Sequence, residues 1–242
     1  MLSHERSPLD RSLVKFALSR SDYFVTHSTK DKEVLLAMVP GKKVSVAPLP
    51  SLSEFSSSSA ASRTGRTILF FGKVRKYKGL DVLLAAMPRV LSKVECKLIV
   101  VGEFYDPIAK YRNFIREHGI ENDVSMDNRY VPNEEVPSIF ERADVLVLPY
   151  VSASQSGVAR IALSNGLPVI ASRTGGLSEA VVENVNGLLF PPGDSDALAE
   201  QIVMYFTKNF GPIFSENIGK TQEPGLKSPL GSIIEELAGP SG

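Results

Sequence analysis

The sequence is poor in the residues that build extracellular scaffolds, metal centres and membrane spans. It has one cysteine, Cys96, three histidines and no tryptophan in 242 residues. One thiol cannot form an internal disulfide, and there is no Cys/His cluster of the kind that holds a structural zinc. No run approaches the roughly 20 apolar residues of a membrane span, and the N-terminus lacks the apolar core of a signal peptide. These absences predict a cytoplasmic protein.

Neither sign of charge dominates, since 27 basic residues are matched by 27 acidic ones. A neutral chain has no general attraction for nucleic acid or anionic membranes, so we expect no nucleic-acid partner and only a local basic site. One such segment is visible, because five cations and no acid lie between Arg66 and Gly79. The sequence leads to no prediction about membrane attachment or oligomeric state.

From residue 67 onward, short apolar runs alternate with amphipathic stretches. Strands are predicted at 67–72, 97–102, 123–126, 145–149, 168–171 and 187–190, and helices at 80–91, 108–118, 133–142, 157–164, 177–183 and 195–208. Asn133 is the expected N-cap of its helix. Nearly continuous apolar strands, each followed by a helix, predict an α/β fold: a Rossmann-like, doubly wound parallel sheet covered on both faces. Ligands of that architecture bind at the carboxyl ends of the strands.

The length corresponds to about 1.6 domains of ordinary size. Residues 1–55, with helices at 8–19 and 29–38 and strands at 22–26 and 43–47, predict the closing units of a second, partial α/β domain. The Ser-rich segment 56–65 is typical of a flexible linker. Residues 66–210 form the predicted Rossmann-like domain, and 211–242 a tail with a short helix near 233–237.

The first candidate site is the basic segment after the first strong strand. Gly72 allows a sharp turn at the strand end, and the cations that follow would project over the ligand edge. Arg75 can hold phosphate oxygens in a bidentate manner and Lys78 supplies a point charge. The alternative is a solvated basic loop, and we expect Lys73 and Lys76 to face solvent in either case.

The second candidate is the small-residue turn 152–157, between a strong strand and a helix. Ser156 and Gly157 would leave backbone N–H groups free at the helix start, where anions bind. The alternative is an N-cap by Ser154 or Ser156 with no further role. Neither G-x-G-x-x-G nor G-x-x-x-x-G-K-S/T occurs, which argues against dehydrogenases and P-loop proteins.

The third candidate is the turn Gly175–Gly176, followed by Glu179. Glycines there permit close approach of a ligand to the backbone, or serve only a tight turn with positive φ. Asp194 and Asp196 match a D-x-D pattern, but both open a helix, where capping and the helix dipole favour acids. We therefore interpret this pair as structural and expect no metal site.

Six segments, in this order and spacing, resemble the retaining glycosyltransferases of family 4, which have the GT-B fold of two facing Rossmann-like domains. The segments are FFGKVRKYKGLD at 70–81, VGEFY at 101–105, RYVPNEEV at 129–136, ADVLVLP at 143–149, GLPVIA at 166–171 with Gly175, Gly176 and Glu179, and GLLFPPGD at 187–194.

The resemblance implies that residues 66–210 bind a nucleotide diphosphate sugar. The implied contacts are Arg75, Lys78, Ser156 and Gly157 for the diphosphate, Gly175, Gly176 and Glu179 for phosphate and sugar, and Tyr130 and Val131 for the nucleobase side. It also implies sugar transfer to a hydroxyl of a carbohydrate or lipid-linked acceptor, with retention of configuration, for carbohydrate biosynthesis. No metal or further cofactor is expected, and no catalytic residue is assigned.

Two departures keep alternatives open. Family members usually carry two glutamates for sugar and ribose, where this chain has Ala153 and Ile161, as in a Ser-Gln-Ser-Gly branch of the family. The early strands of the acceptor domain are also missing, which predicts a fragment or a truncated product. A non-catalytic nucleotide-sugar-binding module is therefore one alternative. A GT-B nucleotide-sugar 2-epimerase is another, although such enzymes rely on acidic and histidine residues in the cleft.

Overall fold

The computed structural model describes residues 14, 16–47, 65–153 and 156–221, and these fall into two compact units, one within 1–50 and one within 51–225. Residues 56–64 of the predicted linker and the predicted helix near 233–237 lie outside the described residues, as do residues 8–13 and 15 of the first predicted helix. Within the described part, no helix is long and apolar enough to cross a membrane.

The first unit contains helical residues at 16–19 and a two-stranded parallel sheet. Strand β1, Tyr23–Thr26, pairs with β2, Lys43–Val46, and helix α1, Thr29–Met38, connects them. Ser28 caps α1, because its side chain accepts a hydrogen bond from the Asp31 N–H at 3.0 Å. The unit thus forms one β-α-β crossover, in agreement with the sequence pattern.

The second unit is a six-stranded, all-parallel sheet. Its strands are β3, Thr67–Phe71; β4, Lys97–Val101; β5, Val124–Asp127; β6, Val145–Leu148; β7, Val169–Ser172; and β8, Gly187–Phe190. They are ordered β5-β4-β3-β6-β7-β8. The chain builds outward from β3 in one direction and then, from β6, in the other. This is the doubly wound order, and the predicted fold class is confirmed.

Helices cover both faces of this sheet. They are α2, Leu80–Leu91; α3, Ile108–Glu117; α4, Val136–Glu141; α5, Gly157–Ser164; α6, Leu177–Ala180; α7, Ser195–Thr207; and α8, Phe210–Thr221. Successive side chains of a strand point to opposite faces of the sheet, so each strand contributes to two cores. Ile68 and Phe70 pack with α2, α3 and α7, whereas Leu69 and Phe71 pack with α4, α5 and α6. Burial on both faces explains why the strands are almost continuously apolar.

Two predicted helices differ by more than one residue from those observed in where they begin or end, and one observed helix was not predicted. Asn133 is not an N-cap: it begins a 3₁₀ turn, Asn133–Glu135, and α4 starts only at Val136. Helix α6 ends at Ala180 rather than residue 183, because the backbone at Val181 is already extended. The helix α8 was not predicted at all, although Phe214 and Ile218 are buried.

Candidate functional site

The carboxyl ends of all six strands lie at one edge of the sheet, because the strands are parallel. The winding direction reverses between β3 and β6, and doubly wound folds bind ligands in the crevice at that point. The basic loop, which we define as residues 72–79, follows β3, and residues 149–153 and 156 follow β6. The two predicted anion-binding segments therefore meet at the switch point of the sheet.

Close backbone packing fixes the end of the basic loop. A short 3₁₀ turn, Lys76–Lys78, leads into Gly79, whose φ of +68° lies in the left-handed region. A Cβ on Gly79 would fall 1.9 Å from the Pro149 carbonyl oxygen, so only glycine lets the loop approach β6 this closely. The Val151 N–H also donates to the Tyr77 carbonyl at 2.8 Å.

Lys78 points inward, while the flanking Lys73 and Lys76 are exposed. Only 9% of Lys78 is accessible to solvent. Its ammonium lies 5.3 Å from the centroid of the Tyr150 ring, and a Cβ on Gly72 would lie 3.3 Å from it. Burial, followed by the nearby charges of Arg75 and Lys73, lowers the pKa of Lys78 to about 8. Burial and the neighbouring cations disfavour the charged form of Lys78, and a bound anion would stabilise that form.

The turn after β6 places a buried phenol beside the start of α5. Ser156 is the N-cap, since its hydroxyl accepts from the Ala159 N–H at 3.3 Å. Tyr150 is 3% exposed, and its hydroxyl makes no hydrogen bond of ordinary geometry with any residue that the structure describes. Burial raises the pKa of Tyr150 and the neighbouring Ser156 opposes that shift. Gly157, the first residue of α5, is exposed and leaves room at the helix start.

The loop after β4 is joined to the basic loop. The Val74 N–H donates to the Glu103 carbonyl at 2.7 Å, and the Tyr105 N–H donates to the Val74 carbonyl at 3.0 Å. These bonds place the Tyr105 ring beneath the Arg75 guanidinium, whose carbon lies 4.3 Å from the ring centroid. Arg75 is half-buried, and its charge lies near enough to Lys78 to contribute to the lowered pKa of that residue.

The segment after β5 carries Tyr130 and Val131. Arg129 bridges Asp127 at 2.8 Å and Glu135 at 2.6 Å, which ties the two ends of this segment together. The Tyr130 side chain is 66% exposed, and Val131 packs partly against the core. An exposed aromatic on a braced loop is suited to stacking against a planar ring.

The Gly175–Gly176 turn lies at the same sheet edge, after β7. Gly175 has a φ of +51°, in the left-handed region, as expected for a tight turn. Glu179 is exposed in the four-residue helix α6. The Ser172 hydroxyl at the end of β7 donates to the Tyr150 carbonyl at 2.5 Å, which links this turn to the one after β6.

The D-x-D pair stabilises the start of α7. The Asp194 side chain accepts from the Ala197 N–H at 2.9 Å, and Asp196 pairs with Arg89 at 2.9 Å. The capping interpretation of Asp194 is therefore confirmed. Among the described residues, no group of three His, Cys, Asp or Glu side chains is placed to hold a metal ion.

The structure thus brings Gly72 and Lys78 next to the start of α5, and Arg75 lies near enough to Lys78 for its charge to lower the pKa of Lys78. Sequence analysis did not find Tyr105 and Tyr150, which pack against the cations. The available signal was an aromatic residue in the loop after each of two strands, β4 and β6. Their contacts depend on neighbouring strands that are distant in the chain.

Curated relatives match a little more than half of the chain. An uncharacterized glycosyltransferase of Methanocaldococcus jannaschii is 31% identical over 134 residues, covering 55% of this chain and 34% of that protein. D-inositol 3-phosphate glycosyltransferase of Corynebacterium efficiens is 31% identical over 144 residues, covering 57% of this chain and 34% of that protein. The chain therefore spans about a third of the length of these relatives.

A solved structure shares the fold over a longer part of the chain. Anabaena HepE, in complex with UDP, superposes with a TM-score of 0.82 at 20% identity and covers 98% of this chain and 70% of its own. This likeness supports the predicted GT-B type of architecture. The family model described as Glycosyl transferases group 1 matches residues 65–208, the whole of the doubly wound unit up to α7. Because that match covers more than half of the chain, the protein belongs to the Glycosyl transferases group 1 family.

Proposed function

We propose that residues 66–210 bind the nucleotide diphosphate of an activated sugar, and that the protein transfers this sugar to an acceptor hydroxyl with retention of configuration. The observation that carries the proposal is the buried Lys78, which faces the start of α5 at the switch point of the sheet. Arg75 adds a second cation at the same edge. Together they suit a ligand with two adjacent phosphates.

The proposed chemistry uses these groups to stabilise the leaving diphosphate. The bond between the anomeric carbon and the β-phosphate oxygen breaks, and a bond from that carbon to the acceptor oxygen forms on the same face. The acceptor proton passes to the departing phosphate oxygen. Negative charge grows on the diphosphate during this step, so Arg75, Lys78 and the dipole of α5 favour the transition state over the ground state. In this proposal protein cations take the charge, and no metal is required.

Two further contacts complete the proposed donor site. Tyr130 and Val131 flank the nucleobase, since an exposed ring on a braced segment offers a stacking surface. Gly175, Gly176 and Glu179 approach the phosphate and sugar from the turn after β7. The acceptor is a carbohydrate or a lipid-linked hydroxyl. HepE holds UDP, which makes uridine diphosphate sugars the first donors to test.

A specific observation supports a second candidate, a non-catalytic nucleotide-sugar-binding module. The resemblance places sugar- and ribose-binding glutamates at positions 153 and 161. Ala153 has no carboxylate, and Ile161, which lies in α5, packs partly against the apolar core. The donor site would then bind its ligand without the contacts that orient it for transfer.

Calorimetric titration of the 242-residue chain with UDP, ADP and GDP, and with their nucleosides, tests the binding step. We expect one diphosphate to bind far more tightly than its nucleoside. If none of the three binds, the donor-site proposal is wrong.

Donor hydrolysis and transfer by the longest natural form of the protein separate the two candidates. Transfer with an unchanged anomeric configuration in the product, read by proton NMR couplings, supports the retaining enzyme. Diphosphate binding without hydrolysis or transfer supports the module, and inversion contradicts the proposed same-face attack.

A further inference from the structure

One exposed tyrosine stands beside two cations of the basic loop. The Arg75 guanidinium carbon lies 4.3 Å from the centroid of the Tyr105 ring, and the Lys73 ammonium lies 5.7 Å from it. Both distances fall within the range of about 6 Å over which a cation is attracted to an aromatic ring. The ring is 51% exposed, so filling the core does not account for it.

The backbone, rather than core packing, sets the position of this ring. Tyr105 and Val74 are joined by the backbone hydrogen bond between the two loops, and Val74 is bonded in turn to Glu103. On the other side, the Phe104 N–H donates to the Asn128 side chain at 3.0 Å. The residues after β4 are therefore held between the segments that follow β3 and β5, and Tyr105 emerges from a braced loop.

A guanidinium stacked on a ring is restricted in rotation while its N–H edge stays available. Arg75 has many rotamers in an open loop, and each one that points away from the crevice lowers the affinity for a bound anion. A ring fixed under its guanidinium removes part of that cost before the ligand arrives.

We infer that Tyr105 is a positioning residue, which holds the Arg75 guanidinium by stacking so that its N–H groups meet the diphosphate. The inference rests on the proposed function, because it assigns Tyr105 to the same site. Tyr105 acts through Arg75 and does not itself bind the ligand, and its hydroxyl has no part in this.

The test measures dissociation constants by calorimetry for the 242-residue chain, using the diphosphate that binds in the titrations above and the matching nucleoside. We expect Tyr105→Leu to weaken the diphosphate about three- to fivefold, the factor that corresponds to an exposed cation–π contact. The nucleoside affinity should not change. The matched variant Tyr105→Phe keeps the ring without the hydroxyl and should bind as the wild type does. Tyr105→Gln provides a second, polar replacement with the same expected loss.

A double-mutant cycle shows whether the effect passes through Arg75. In an Arg75→Met background, Tyr105→Leu should cause no further loss of diphosphate affinity. An additive loss, a loss in Tyr105→Phe, or an equal loss for the nucleoside would overturn the inference, because each shows that Tyr105 contacts the ligand directly. If the wild type binds a diphosphate and Tyr105→Leu binds it equally well, this inference alone fails. If the wild type binds none, the proposed function fails with it.

Discussion

At the scale of single residues, the cations of the basic loop divide into two kinds. Arg75 is half-buried beside the crevice, and Lys76 is exposed to solvent. Arg75→Met should weaken binding of the nucleoside diphosphate by about 1.5–3 kcal/mol, the value of a charged hydrogen bond, and leave the nucleoside unaffected. Calorimetry of both ligands checks this.

Lys76→Met is the matched control for Arg75→Met, since it removes a charge from the same loop without opening the crevice. It should change the diphosphate affinity little, because exposed charges are screened. Equal losses in the two variants would show that the loop acts only through its overall charge, and Arg75 would lose its assigned role.

If Lys78 binds the diphosphate as proposed, the affinity should depend on pH. The pKa of Lys78 is lowered to about 8 in the free protein, and a bound anion would raise it again. Below pH 8 the amine is already charged and affinity is full, whereas above pH 8 binding must also take up a proton, so affinity falls. Titrations from about pH 6.5 to about pH 9.5 measure this decline. Lys78→Arg, charged throughout, should give a flatter profile, and an equally steep profile would contradict the assignment.

The same burial predicts that Lys78 costs stability. The pKa is about 8 in the folded state and 10.5 in the unfolded state, so between these values the unfolded state binds more protons and stability rises with pH. The cost is fully present below pH 8. Lys78→Met should therefore raise the free energy of unfolding at pH 7 by about 1–3 kcal/mol. Urea unfolding measures it, and a destabilised variant would show that the ammonium has a partner that stabilises it.

The sequence predicted some of the residues of the candidate site but not others. Gly72, Arg75 and Lys78 follow from a strand end and a run of cations. Tyr105 could not be predicted, because its contact with Arg75 needs the pairing of β3 with β4, across about 30 residues of chain. Tyr150 was missed for a related reason, since its ring contacts Lys78 and Tyr77 of the loop after β3, which is distant in the chain.

At the scale of elements, the start of α5 has two interpretations, a cap alone or a cap that also binds an anion. Ser156→Ala removes the bond to the Ala159 N–H and should cost about 1 kcal/mol of stability in either case. If the helix start binds the diphosphate, affinity should also fall, because the backbone N–H groups fray. Urea unfolding and calorimetry on the same samples separate the two effects.

Asp194→Ala is the control for this element, since Asp194 caps α7 in the same way at 2.9 Å. Asp194→Ala should lower stability by a similar amount. It should leave diphosphate affinity unchanged, because α7 and α5 pack on opposite faces of the sheet. If Ser156→Ala also leaves affinity unchanged, Ser156 is a cap and nothing more.

The sequence predicted strands and long helices well because each carries a clear apolar pattern. The helices α1, α2 and α5 and the strand β8 have the predicted bounds, and the other strands differ by one residue at one or both ends. Helix α8 was missed because Gly211 and Pro212 suggest a tail. Proline is tolerated in a first helical turn, and Phe214 and Ile218, four residues apart, form the stripe that packs on the core.

At the scale of the whole molecule, both cores of the doubly wound sheet lie within residues 65–221. A protein of these residues alone should fold and bind the diphosphate as the 242-residue chain does. A shorter protein, 65–208, loses the buried Phe214 and should be less stable by about 2–5 kcal/mol. Thermal unfolding and calorimetry of the three proteins check this, and loss of binding by 65–221 would show that residues outside this unit complete the site.

The most direct test of the account is a crystal structure of the 242-residue chain with the nucleoside diphosphate that binds in solution. We predict that the diphosphate lies at the switch point between β3 and β6, with oxygens within hydrogen-bond distance of Arg75, Lys78 and the Gly157 N–H. A diphosphate bound elsewhere on the protein, out of contact with these three groups, would contradict the proposed site.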